Sequence, residues 1–199
     1  MKKDCIFGIN GPVITVKESH SFSMMEMVYV GNDHLVGEVI GVNDRVTTIQ
    51  CYEETTGLRP GEPVEGTGAP MNVTLGPGIL DNIFDGIERP LKKIAASAGA
   101  FIARGSNVPA LNPDRVWHVT MKVKVGDELK GGDIYATCPE TRIIEHRCMV
   151  PPKMSGKVTF VAPDGDYKVN DRVVELTDAD GEVHKLTLCQ KWPIKQARP

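Results

Sequence analysis

No apolar run in the sequence approaches the length of a membrane-spanning helix. The opening Met1-Lys2-Lys3-Asp4-Cys5-Ile6-Phe7-Gly8 sets two lysines before an apolar patch. Asn10, Gly11 and Pro12 break that patch, so it does not read as a signal peptide. A basic excess is also missing. The net charge is -3, which argues against a nucleic-acid binder, where a basic stripe is expected. Cysteine is sparse, odd in number and scattered (Cys5, Cys51, Cys138, Cys148, Cys189). That distribution fits reduced thiols in a cytosolic protein better than a disulfide framework. Aromatics make up only 6%, while glycine (20) and proline (14) are frequent, which predicts many turns and short strands.

What is present supports a packed core. Hydrophobic residues reach 41% and charged residues 25%. Residues 1–72 read as all-β. Short β-rich runs at 13–16, 27–30, 35–40 and 46–52 alternate with turn signals, Gly31-Asn32-Asp33 and Gly41-Val42-Asn43-Asp44. Within 35–40, Glu38 faces away from Leu35, Gly37 and Val39, as in a strand with one buried face. Tight strands with few aromatics suggest a small closed barrel, which leaves no free edge.

Residues 73–110 change character. After Gly76-Pro77-Gly78, the positions Ile79, Leu80, Ile83, Phe84 and Ile87 recur at helical spacing. Pro77 suits the helix start and Pro90 the stop. Leu91, Ile94, Ala95, Ala98 and Ile102 allow a second short helix, weakened by Gly99. Residues 111–190 return to β. They carry a weak repeat of Gly-Asp arms, Gly126-Asp127 within 123–134 and Gly165-Asp166 within 165–173. Two quasi-equivalent halves suggest a flattened sandwich built by duplication. The run 191–199, with Pro193 and Pro199 and no helical period, reads as an extended connector.

The chemistry-bearing patterns are thin. Ser155-Gly156-Lys157-Val158 fails the P-loop consensus, because Pro151 stands where a glycine is needed and Val158 where Ser or Thr must hold magnesium. It reads as a turn. Gly76-Pro77-Gly78 fails the dinucleotide pattern at Asp81. Cys138, His146 and Cys148 lie close in sequence but lack the Cys-Cys knuckle of a structural zinc site; His118 and His184 have no suitable neighbours in sequence. Glu53 and Glu54, as adjacent strand residues, point to opposite faces and read as a solvated rim. No serine sits in a Gly-x-Ser-x-Gly elbow. The residues therefore predict no catalytic, cofactor-binding or metal site.

Four strings carry a resemblance over the whole length. They are Gln50-Cys51-Tyr52-Glu53-Glu54-Thr55-Thr56-Gly57-Leu58-Arg59-Pro60-Gly61-Glu62-Pro63-Val64, the run 75–91, Arg104-Gly105 with Val108-Pro109-Ala110-Leu111, and Gln190-Lys191-Trp192-Pro193. They resemble the catalytic A (alpha) subunit of the V-type and archaeal-type rotary ATPases and ATP synthases. The resemblance implies a mainly β fold with an N-terminal β-barrel at 1–72. The start of a nucleotide-binding domain, partly helical, follows at 73–110. A bulge or non-homologous region at 111–190 resembles a barrel-sandwich hybrid, and a linker at 191–199 leads to a RecA-like core. The family's P-loop and catalytic glutamate lie beyond such a linker, so the segment is expected to be inactive by itself. ATP and magnesium belong to the full-length subunit. Implied partners are B subunits alternating with the A subunits in a ring and peripheral-stalk subunits met through the bulge region. The implied location is cytoplasmic, peripheral to the membrane. The full-length parent drives proton or sodium transport.

A biotinyl or lipoyl carrier domain is the alternative. Its modified lysine would fall within 141–149, which contains no lysine. Arginine cannot substitute, because attachment needs an amine that can lose its proton. The apolar face of Ile79, Ile83, Phe84 and Ile87 is expected to be exposed, to pack onto the bulge region or to drive self-association.

Overall fold

A computed structural model describes residues 4–17, 21–80, 82–98, 104–105 and 108–198. The chain divides into two units. One comprises 1–73, 92–108 and 193–196; the other comprises 74–91, 109–192 and 197–199. No helix among the described residues is long and apolar enough to cross a membrane.

The first unit is built on β1 (Ile6–Asn10), β2 (Val13–Lys17), β3 (Glu26–Val30), β4 (Leu35–Val42), β5 (Val46–Cys51) and β6 (Val64–Pro70). They form one antiparallel sheet in the order β1-β2-β5-β4-β3-β6. Its two ends meet. Val64 N donates to Asp4 O, Ile6 N to Glu62 O and Gly61 N to Ile6 O, at 2.8–2.9 Å, beside a Cys5–Pro63 bridge. These bonds tie the two ends of the sheet together beside the starts of β1 and β6, in keeping with the expected barrel. Inward positions alternate along each strand: Ile14 and Val16, Val28 and Val30, Leu35 and Val39, and Ile49 with Cys51 are all buried. Gly31 turns the chain between β3 and β4 at φ +74°, where a Cβ would stand 2.4 Å from Leu58 Cδ2. Strand β4 runs on through Gly41 and Val42, past a bulge after Val39, so the turn is tighter than the sequence suggests. Asn43 makes it, its Oδ1 accepting from Arg45 N and Val46 N. Periodicity missed β1 and β6. β1 is broken by glycine, and β6 reads Val-Glu-Gly-Thr-Gly-Ala-Pro.

The second unit is a sandwich. β8 (Val116–Met121), β10 (Ile134–Pro139), β11 (Glu145–Met149) and β13 (Gly165–Lys168) form a sheet in the order β11-β10-β8-β13. The order of the other sheet is β15-β14-β12-β9, from β9 (Glu128–Leu129), β12 (Gly156–Val161), β14 (Val174–Thr177) and β15 (Val183–Leu186). One apolar cluster takes residues from both: Trp117, Val119, Ala136 and Cys148 from the first, Val158, Val174, Leu176 and Leu186 from the second. This is the expected two-layer β architecture. Two further strands, β7 (Asn72–Leu75) and β16 (Gln190–Pro193), pair as a ribbon. The run from 191 is thus partly strand and not only an extended connector.

The repeat is real but shifted. Gly165-Asp166 lies inside β13 and turns nothing. The recurring unit is Lys-x-x-Asp at Lys124–Asp127, Lys130–Asp133 and Lys168–Asp171. In each, the lysine N–H donates to the aspartate Oδ2 at 2.7–2.9 Å and the aspartate N–H returns to the lysine carbonyl at 3.0–3.1 Å.

The first expected helix does not form. Residues 76–80 and 82–90 are turns and extended chain, with a Phe84–Pro90 bridge. Three local features defeat the helical spacing. Gly78 sits at φ +97° and Glu88 at φ +65°. Asp85 Oδ1 captures the N–H groups of Ile87 and Arg89, offering the backbone an alternative to i→i−4 bonding. Of the expected apolar face, Ile79 packs against the second core, Ile83 is exposed, and Phe84 and Ile87 are half-buried. The second helix does form, as α1 (Leu91–Ala98), and residues 99–103 lie outside the described set.

Candidate functional site

Each glycine-bearing stretch has a structural use. Gly156 and Lys157 open β12, opposite Leu129 and Glu128, and are not a turn. Their backbone groups lie in a strand ladder, and a Cβ on Gly156 would meet Thr177 O at 2.4 Å. The 76–78 glycines bend the chain beside Trp117, whose Cζ2 would stand 3.0 Å from a Gly78 Cβ.

The structure separates Cys138, His146 and Cys148 chemically. Burial pushes the Cys138 thiol up to about 11 and the Cys148 thiol up to about 12. Among the described residues their sulfurs and the His146 nitrogens do not fall together in a group of three close ligand atoms. His146 stands opposite Cys138 in the β10–β11 ladder, but its Nδ1 lies 3.3 Å from Glu140 Oε2. Burial holds the His146 imidazole below its ordinary range, against the pull of Glu140.

Asp178, Glu182 and His184 bring three ligand atoms within 4.8 Å of one another. Such a trio could offer a weak cation site, yet the β14–β15 hairpin uses Asp178 already. Its Oδ1 accepts from Asp180 N and Glu182 N, and its Oδ2 lies 2.8 Å from His184 Nε2. The hydrogen bond from His184 leads the effects that hold Asp178 below the usual carboxylate range. His118 likewise has a carboxylate, Asp166 Oδ1 at 2.8 Å across the β8–β13 pair. Both histidines therefore have carboxylate partners, Asp166 48 residues on from His118 and Asp178 six residues before His184.

Glu53 and Glu54 follow β5 and are not within it. Glu54 accepts from Thr56 Oγ1 at 2.6 Å, as a rim residue would. Glu53 does more: Oε2 accepts from Gly105 N at 3.1 Å and Oε1 from Val36 N at 3.5 Å. Beside it, Arg104 Nη1 donates to Thr56 O and Nη2 to Asp33 Oδ2. Gly105, at φ +64°, approaches so closely that a Cβ would fall 1.9 Å from Asp33 O.

Of three buried glutamates, Glu26, Glu38 and Glu140, the last two draw donors from well-separated parts of the chain, and sequence periodicity marked neither as buried. Glu38 does face away from the barrel core, yet it is only 5% exposed. It accepts from Tyr52 Oη at 2.7 Å and from Lys195 Nζ at 2.6 Å. Desolvation raises the Glu38 carboxyl, but those two donors outweigh it and hold the group below its usual range. The same hydrogen bond leads the shift of Tyr52 up to about 12. In the second unit Glu140, 6% exposed, accepts from Gly78 N at 2.8 Å and Leu80 N at 3.3 Å. It fixes the root of the β10–β11 hairpin. Glu38 has partners 14 and 157 residues away and Glu140 has partners 62 and 60 residues away, which leaves no local pattern. The one available signal was an acidic residue among apolar neighbours.

Comparison with known proteins agrees with this arrangement. Residues 6–68 match the ATP synthase alpha/beta family, beta-barrel domain, and residues 108–195 match the ATPsynthase alpha/beta subunit barrel-sandwich domain. The V-type ATP synthase alpha chain of Halothermothrix orenii is 50% identical over 100% of this chain and 34% of its own length. The A-type ATP synthase A subunit of Methanopyrus kandleri is 47% identical over 98% of this chain and 33% of its own. The catalytic A subunit of the V-type proton ATPase of Cyanidium caldarium is 48% identical over 100% and 34%. The chain thus spans about a third of the length of these relatives. With a barrel, a sandwich and both domain matches in order, the chain belongs to the ATP synthase alpha/beta family, in its V-type and A-type A-subunit branch.

Proposed function

We propose that this chain serves as an assembly and stator-contact portion of the catalytic A subunit of a V-type ATPase or ATP synthase. The single observation behind this reading is end-to-end similarity to such subunits in a sequence with no phosphate-loop consensus. In this reading the barrel stands beside the barrels of B subunits in an alternating ring. A barrel whose sheet ends are tied together resists shear, which suits a collar that holds while other domains move. The sandwich engages the peripheral stalk. ATP, magnesium and ion transport belong to the whole subunit and its complex, peripheral to the membrane on the cytoplasmic side. The chain alone hydrolyses nothing.

The carrier alternative is weakened by the β10–β11 hairpin, whose tip carries Arg142 and no lysine. The test of the assembly reading is mixing the chain with purified B subunits and measuring complex mass by light scattering. A defined hetero-complex is expected. Two components that elute separately at tens of micromolar would contradict it.

A further inference from the structure

Strand β11 is the outer strand of its sheet, with β10 on one side only. Ile144 O accepts from Glu140 N and Thr141 N, Val150 N donates to Asp133 O, and Val150 O accepts from Gly132 N. Backbone groups alternate in direction along a strand, so the even positions from 144 to 150 bond toward β10. Pro139, which has no N–H to give, stands opposite Glu145, as a pair that exchanges no ladder bonds allows. The irregularity in this ladder adds a residue to β10 and leaves β11 regular. The N–H and C=O groups of Glu145 and Arg147 therefore turn outward, and they have no partner among the described residues. At Met149, the next outward position, the carbonyl already accepts from Gln190 Nε2 at 3.4 Å, which ends the open stretch.

Folded chains usually blunt such an edge with proline, a bulge or lysine. This edge carries one charge of each sign instead. Glu145 and Arg147 are both exposed, share a face of the strand and make no ion pair among the described residues. A two-fold axis sets β11 antiparallel to a second copy of itself. Centred on Glu145 or on Arg147, that axis faces like charge with like. Centred on His146, it sets Glu145 opposite Arg147 of the second copy, and Arg147 opposite its Glu145. In this antiparallel register alone, outward backbone groups meet outward groups and opposite charges meet across the join.

We propose that β11 is a self-pairing edge, through which two copies of this chain join their sheets into one. The join is made by about four backbone hydrogen bonds and by reciprocal Glu145–Arg147 ion pairs. Ile143 and Ile144 at the hairpin tip, 92% and 44% exposed, flank it and lose water there. Every group the pairing needs is present on this chain. The contact is smaller than a standard interface, so the dimer is weak and reversible.

The test is sedimentation equilibrium of the chain at low sodium chloride, up to hundreds of micromolar. A reversible monomer–dimer equilibrium is expected, weakened by high salt. Glu145→Arg and Arg147→Glu each put like charges across the join and should each weaken self-association by roughly tenfold or more. Their melting temperatures should match wild type, because both side chains are exposed. Mixed in equal amounts, the two variants meet with opposite charges at each of these positions and should dimerise at least as well as wild type. Both substitutions in one chain should likewise restore self-association. A wild-type chain that stays monomeric throughout would overturn the proposal. So would a dimer indifferent to both reversals, or a pair of variants whose mixture fails to dimerise.

Discussion

Cys51, Cys138 and Cys148 are closed to solution chemistry by burial, which pushes their thiols up to about 11, 11 and 12. Cys5 and Cys189 are partly exposed. At pH 8, a thiol reagent should label at most two of the five cysteines in the native chain and all five in denaturant. Rapid native labelling of more than two would show that the cores are open. His146 gives a pH signature of known sign. Burial holds its folded pKa below the ordinary 6.5, so the unfolded chain takes the proton first on acidification. The stability contributed by neutral His146 is complete above about pH 6.5 and is lost as pH falls through the lower folded value. Urea midpoints should decline below that pH in wild type and flatten in His146→Gln. A midpoint that rises on acidification there would contradict the assignment.

Among the elements, the short chain segment 193–196 is fastened within the first unit by one backbone and one side-chain bond. Ile194 N donates to Met71 O at 3.1 Å, and Lys195 reaches Glu38. Lys195→Met leaves Glu38 buried with Tyr52 as its remaining partner, and should cost about 1–3 kcal/mol. For a chain of this size that is a drop of several degrees in melting temperature. Glu38→Gln keeps the shape and should cost less, since a neutral amide needs less compensation. An unchanged melting temperature in Lys195→Met would show that the ion pair is solvated. Gly105→Ala meets both a left-handed backbone and the Asp33 carbonyl, and should loosen the Arg104–Asp33 contact, read as faster hydrogen exchange at 33–36.

The barrel strands β2 to β5 were legible because each buries one face, so apolar residues alternate along them. Glycine removed that signal from β1 and β6. The run 76–90 misled because apolar spacing by itself ignores what Gly78, Asp85 and Glu88 impose on the backbone. Glu38 and Glu140 were hidden because their partners arrive from distant parts of the chain. The hairpin tip was legible in one respect, its missing lysine, while the exposure of Ile143 required the fold.

At the scale of the whole molecule, two β units are each held by their own core. Similar chains are about three times longer. In the proposed reading the chain contributes surfaces and stiffness and binds no nucleotide by itself, its sequence carrying no phosphate-loop consensus. The most direct test of that claim is calorimetric titration of the isolated chain with Mg-ATP up to millimolar concentration. The account predicts no saturable heat. A one-to-one isotherm with micromolar affinity, abolished by substitutions within this chain, would contradict it.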